Sequence, residues 1–401
     1  IGRILYFFVD FLNNEKKYVY LCRNTSYNSY IKGKKEIAMD ISEKLKFARE
    51  NSGFTLRQVT KRVGIDDSCL SSYENGHTQP KLSVLSKLAD VYHLPLSFFF
   101  DKSEPEVQVV LWRNKPANDK DIQAKFLQLC HQYRQLELWA NESPTRRLPD
   151  LDEMGSEFGY SEAAILADRV RDVMGLGKHP GTDLHRVLEE IYGIKMFHMD
   201  LGELGIAACA KSALFGCAIL LNVRCSQWRR NHDIAHELFH LLTWERFHHH
   251  AGVCDPDLQE EKLATCFAGN LLLPRESVIE AIHKFSGKDD KITLSRLDCV
   301  ARQFDVSLES LLWRMHFLFS WKEEQTRGYI EEAKEYVQQT QRIGSPRPLL
   351  YPERYRALAI RVFRKGEISL RRFSKIMGIG RKEAERYMDR DVDHEIPTTA
   401  A

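Results

Sequence analysis

Between residues 40 and 101 the apolar positions recur with a helical period. Ile41, Leu45 and Ala48 form one stripe, and Leu56, Val59 and Val63 form a second. Thr55 precedes the second stripe and is placed to cap it, since its hydroxyl can accept from an orphan N–H of the first turn. Gly64 follows where the chain needs positive φ. Asp66, Asp67 and Ser68 open a third helix containing Leu70 and Tyr73. After Gly76 and Pro80, Leu82, Leu85, Leu88 and Ala89 mark a fourth.

Residues 102–150 read as a connector with an amphipathic helix around Ile122–Trp139 and a polar break at Asn141–Asp150. A new pattern begins at Ser161, with one capped helix, a turn, and a second helix running into a strand. Ala218–Asn222 is a short apolar strand, expected to form an edge to which a peptide could add. A long helix starts at Gln227. Thr293–Arg314 gives two more helices around a turn at Asp305–Ser307. The pattern predicts a mostly α protein with a small β-sheet, of α+β class.

Helix, glycine turn and helix at the spacing of Thr55–Asn75 is the layout of a helix-turn-helix. The opening Leu56-Arg57-Gln58, Gly64-Ile65, Ser71, Glu74-Asn75-Gly76, Pro80 and the Leu85/Leu88/Ala89 core resemble the lambda-repressor-like (XRE) family. That resemblance implies an all-α domain over 39–101 that contacts operator DNA through residues 55–76. The positions it implicates are Arg57, Gln58, Asp67, Ser68, Ser71, Ser72 and Asn75. Such domains pair on two half-sites, so a homodimer is expected. The departure is Asp66-Asp67, where carboxylates repel phosphates and can accept from cytosine alone among major-groove groups. Eight Lys/Arg against eight Asp/Glu leave 39–101 neutral. A domain kept for dimerisation or protein contact is the alternative.

Chemistry concentrates in His236-Glu237-Leu238-Phe239-His240, an HExxH motif on the Gln227 helix. Four residues advance a helix by slightly more than a turn, so the imidazoles share a face about 6 Å apart, suited to one Zn²⁺. Glu237 stands beside them, able to reach a metal-bound water as general base without being a ligand. A catalytic zinc needs a third protein ligand, and the helix QEEKLATCFAGNLLLP offers Glu261, on a face shared with Ala264, Thr265 and Ala268. Ala264, Ala268 and Gly269 are small enough for close helix approach. Glu260 is the competing ligand, about 100° away around the helix.

These strings, with the preceding LLN strand, resemble the ImmA/IrrE metallopeptidases over about 160–320, and the His₂Glu arrangement is similar to the gluzincins. The resemblance implies a zinc endopeptidase that cleaves a helix-turn-helix repressor and so releases stress or mobile-element genes. In it Glu237 would take a proton from water and pass it to the leaving amine. Thr265 stands where the family carries Asn or Asp, and would orient a ligand imidazole. The alternatives are a non-catalytic regulator that uses the peptidase-like fold as a sensor, and an antitoxin-like module.

A formal charge of +2 gives no overall pull toward nucleic acid or membrane, so any basic patch is local. Nine scattered cysteines without a CxxC pair suit reduced thiols of the cytosol. Cys266 reads as a small buried residue or a redox switch. Cys209, Cys217 and Cys225 show no ligand spacing. His248-His249-His250 reads as a solvated turn. No apolar run approaches the ~20 residues of a spanning helix, so a cytoplasmic protein is expected. Residues 1–38 are expected to be a leader outside the natural protein, the alternative being a disordered or docking N-terminal arm: the first Met is Met39, and Lys35-Glu36 can be encoded by a purine-rich ribosome-binding sequence.

The peptidase is expected over 151–320 and a basic helical region over 321–401. There SLRRFSKIMGIGRKEAERY parallels TLRQVTKRVGIDDSCLSSY, with Leu370/Leu56, Arg371/Arg57, Lys375/Lys61, Gly378/Gly64, Ile379/Ile65 and Tyr387/Tyr73 at equal offsets. Thirteen Lys/Arg against five Asp/Glu between Ser345 and Arg390 make it basic, either as a second DNA contact or as a solvated helical pair packed on the peptidase.

Overall fold

Residues 40–387 are described in a computed structural model, apart from 53, 93, 95, 101–107, 117–118, 144–145, 150–157, 248–255, 287–291 and 341–347. The expectations for residues 1–38 and for His248, His249 and His250 concern residues outside that set.

Four helices come first: α1 (Ile41–Asn51), α2 (Leu56–Val63), α3 (Asp67–Glu74) and α4 (Leu82–Tyr92). Their ends follow from capping. Asp40 with Glu43, and Thr55 with Gln58, close reciprocal capping boxes on α1 and α2. α2 stops at Gly64, whose φ of +77° turns the chain out of the helix while its N–H still donates to the Thr60 carbonyl. Leu45, Val59, Leu70, Leu85 and Leu88 bury against one another in a core of their own. Arg49 forks onto buried Glu74 at 2.7 and 2.8 Å and ties α1 to α3.

The connector segment is part of the next layers. It supplies strand β1 (Val110–Trp112) and α5 (Asp119–Ala140), followed by α6 (Tyr160–Met174), α7 (Pro180–Arg186) and a single π turn over Val187–Ile191. Strands β2 (Lys195–Met199), β3 (Ala207–Ser212) and β4 (Gly216–Asn222) complete a sheet of order β1-β3-β4-β2. β3 is antiparallel to β1 and β4, and β2 runs parallel to β4.

Ala218–Asn222 is therefore not a sheet edge, contrary to expectation. β4 lies inside, with Ala218 opposite both Ala210 and Lys195. The apolar KMFHM run takes its outer side as β2.

The remaining helices are α8 (Gln227–Leu242), α9 (Leu258–Leu272), α10 (Arg275–Phe285), α11 (Leu294–Gln303), α12 (Leu308–Phe319), α13 (Glu323–Thr340), α14 (Glu353–Arg364), α15 (Leu370–Met377) and α16 (Arg381–Glu385). They cover both faces of the sheet. Cys209, Ile219 and Leu221 join the core of α6, α8 and α9. Ala208, Ala210, Ala218 and Leu220 join the core of α5, α14 and α15. With no polar face to display, the strands carry little alternation. The outer layer is fastened by Glu137 of α5, fully buried, which takes Lys195 Nζ at 3.2 Å and Arg354 Nη1 at 2.7 Å.

Candidate metal centre

α8 crosses beneath β3 and β4, and α9 packs between α8 and α6. Ala264 and Ala268 are fully buried on α9 and permit that approach. Gly269 has no part in it, because a Cβ built there would meet nothing within 4 Å. Its expected packing role is corrected accordingly.

This packing brings His236, His240 and Glu261 together, with one potential ligand atom from each inside 4.8 Å of the others. His236 Nε2 lies 3.1 Å from Glu261 Oε2, and His240 Nε2 lies 3.4 Å from Glu261 Oε1. Ligands held at ~2.0–2.1 Å by a tetrahedral zinc stand ~3.3 Å apart. The three side chains thus fit a zinc-sized ion. His240 Nε2 is buried without a hydrogen-bond partner, and so is Glu237 Oε1 one residue after His236. Buried polar atoms rarely stay unpaired, and here they cluster around one point.

Glu260 points elsewhere. Its Oε1 accepts from His240 Nδ1 at 2.7 Å in a buried pair, which leaves Nε2 to face Glu261. A carboxylate behind a ligand imidazole fixes both tautomer and orientation. Thr265 makes no such contact among its described bonds; its hydroxyl donates to the Glu261 carbonyl at 3.0 Å, one turn back on its own helix. Glu260 thus occupies the orienting position that the sequence suggested for Thr265. The sequence offered Glu260 only as a competing ligand, and a carboxylate three residues past the Asp257 N-cap is otherwise ordinary at a helix start, so nothing marked it as the orienting residue.

Burial and the neighbouring charges compete in setting the electrostatics. Burial pulls His236 down to about 3, with the Arg113 charge acting in the same direction. It pushes the Glu237 carboxyl up to about 7. In His240 burial opposes protonation, but the hydrogen bond to Glu260 and the Glu261 carboxylate outweigh it and raise the ring to about 10. Burial acts to raise Glu261 too, yet the two imidazoles hold it well below the usual carboxylate range. Two further neighbours escaped the sequence reading. The Cys209 thiol of β3 is close enough to Glu237 to act against the rise of its carboxyl. Arg113, just past β1, pairs with Asp233 at 2.7 Å, one turn before His236.

On the first domain, Arg57, Gln58, Asp67, Ser68 and Asn75 are exposed, and Ser71 and Ser72 are half-buried. Asp67 is engaged internally, since the Thr60 hydroxyl donates to its carboxylate. Ser72 bonds Thr78 at 2.9 Å, and Asn75 donates to the Ser71 carbonyl at 2.8 Å. Cys266 is half-buried, its thiol raised to about 11 by burial, and the described cysteines are all unpaired. Among the described residues no helix is long and apolar enough to cross a membrane.

Four-helix reader and buried His-His-Glu cluster together define a class: a helix-turn-helix DNA-binding regulator joined to a metallopeptidase-like domain. Residues 45–99 match the Helix-turn-helix family model and residues 189–316 match the IrrE N-terminal-like domain, so the chain carries one domain of each family. It is 28% identical over 149 residues to the HTH-type transcriptional regulator PuuR of Escherichia coli, covering 37% of this chain and 69% of that one. With the HTH-type transcriptional regulator ImmR of Bacillus subtilis it shares 29% identity over 66 residues, 16% of this chain and 52% of ImmR. A Mycobacterium tuberculosis transcriptional regulator of known structure aligns over 46% of this chain and 51% of its own, at 15% identity and a TM-score of 0.29. The chain thus spans about half the length of the latter two.

Proposed function

We propose that the protein is a cytoplasmic DNA-binding regulator whose IrrE-like domain is a zinc endopeptidase that cleaves a helix-turn-helix repressor. The carrying observation is the convergence of His236, His240 and Glu261 on one point beside unpaired Glu237 Oε1. Zinc in that cradle would supply Lewis acidity toward a scissile carbonyl and toward water. His236, His240 and Glu261 would hold it, with Glu260 keeping His240 in the tautomer that offers Nε2. Glu237 would accept the proton of the attacking water and return it to the leaving amine. Its open Oε1 suits acceptance of that proton.

Arg57, Gln58, Asp67, Ser68, Ser71, Ser72 and Asn75 are the proposed contacts to operator DNA, in a homodimer on two half-sites. Thr265 acts through the backbone of the Glu261 turn.

Glu237→Gln tests the peptidase. Cleavage of a co-expressed helix-turn-helix repressor should drop by about 10²–10⁴-fold, while bound zinc stays near about one equivalent and DNA binding is unchanged. Cleavage at the parental rate would defeat the assignment. A second reading, a sensor without turnover, is favoured by the depth of the site: His236, Glu237 and His240 are at most 1% exposed. Full gene regulation by Glu237→Gln would select that reading.

A further inference from the structure

The C-terminal helices repeat the architecture of the first domain. α15 is capped by Ser369, whose hydroxyl accepts from Arg372 N–H at 3.3 Å, as Thr55 does from Gln58 at the same distance. α15 ends at Gly378 with φ +63°, as α2 ends at Gly64 with φ +77°. Gly378 and Ile379 both donate to the Ser374 carbonyl, and Gly64 and Ile65 both donate to that of Thr60. Gly380 then starts α16 in extended geometry, matching Asp66 before α3. The buried positions also coincide: Phe373, Met377 and Ala384 stand for Val59, Val63 and Leu70. α14 supplies the preceding helix, its buried Tyr355 hydroxyl donating to the Ile376 carbonyl at 3.1 Å.

The two units differ in charge where they face solvent. Arg371 and Lys375 are exposed like their counterparts Arg57 and Lys61. On the third helix, however, Asp67, Ser68 and Ser72 are replaced by exposed Arg381, Lys382 and Arg386. Arg381 pairs with Glu385 at 3.0 Å and remains 82% exposed. Helical packing onto α5 and the sheet is already satisfied by the buried face, so packing does not account for the outward charges.

We infer that residues 353–387 form a second helix-turn-helix unit that binds duplex DNA, mainly through its phosphates. The partner follows from charge complementarity: exposed Arg371, Lys375, Arg381, Lys382 and Arg386 outnumber the exposed Glu383 and Glu385 of the third helix, and this excess of cations on a helix-turn-helix scaffold matches a polyanionic duplex. The first unit, neutral and with Asp67 at its reading helix, then contributes selectivity, and the second contributes salt-sensitive grip. This inference does not depend on the peptidase assignment.

Full-length protein binding to a random-sequence DNA duplex, measured across a sodium chloride series, tests it. A variant combining Arg371→Ala, Lys375→Ala, Lys382→Ala and Arg386→Ala should lose about tenfold or more in affinity, and its slope of log K against log salt should shrink by about 3. A variant with Arg57→Ala and Lys61→Ala should keep the greater part of that slope. Lys382→Glu alone, a single exposed change, should lower affinity severalfold and so covers any misfolding of the combined variant. Affinity and slope unchanged in Lys382→Glu and in a folded combined variant would overturn the inference and assign the basic face to an acidic protein instead. Complete loss of duplex binding in the Arg57/Lys61 variant would overturn it equally.

Discussion

Glu260 and Glu261 are neighbours in sequence with opposite tasks, because a helix turns about 100° per residue. Glu261 faces both imidazoles, and Glu260 reaches around to His240 Nδ1. Glu260→Gln should therefore weaken zinc by about 10–100-fold, read by competition with a chelator, whereas Glu261→Gln should abolish stoichiometric zinc. Equal loss in both variants would contradict the division of roles. At this scale the sequence was informative where spacing alone sets geometry: His236, Glu237 and His240 lie on one turn. It was silent on Cys209 and Arg113, which arrive from β3 and from the end of β1 through tertiary packing.

Among the elements, two glycines illustrate what local pattern can and cannot reveal. Gly64 was legible, since a polar turn between two amphipathic helices demands positive φ. Gly64→Ala should cost about 1 kcal/mol in urea unfolding, although a Cβ there meets nothing within 4 Å. Gly269 reads equally well as a small residue for helix contact, yet it faces open space inside α9. Gly269→Ala should stabilise by about 0.5–1 kcal/mol, because alanine has the higher helix propensity. Any loss of stability there would restore a packing role. The strands follow the same division. β4 is visible as the apolar AILLN, but β3 (AACAKS) has small residues and little β-propensity, and its place is set by partners on both sides.

For the molecule as a whole, the outer layer of α5 and α14 is held on the sheet by buried charge. Removing the Glu137 carboxylate leaves Lys195, only 2% exposed, without its ion pair. Glu137→Ala should cost about 3–5 kcal/mol by denaturant unfolding. Glu189, buried under the Tyr133 hydroxyl at 3.0 Å, is pushed up to about 7 by burial. A carboxyl raised on folding favours the native state in its protonated form. Its contribution is complete below the unfolded value of about 4.5 and disappears as pH climbs through 7. Stability should fall by up to about 3 kcal/mol over that window, and Glu189→Gln, which keeps the acceptor for Tyr133, should flatten the profile. Such cross-layer pairs have no signature in a one-dimensional pattern.

The strip Val110–Trp112 borders β3, one of the two strands lying over α8, and fills the flank that a visiting peptide would need. That strip comes shortly after the DNA-reading helices in the same chain. Under the proposed peptidase reading, an extended substrate would reach this flank of β3 only after Val110–Trp112 had left it.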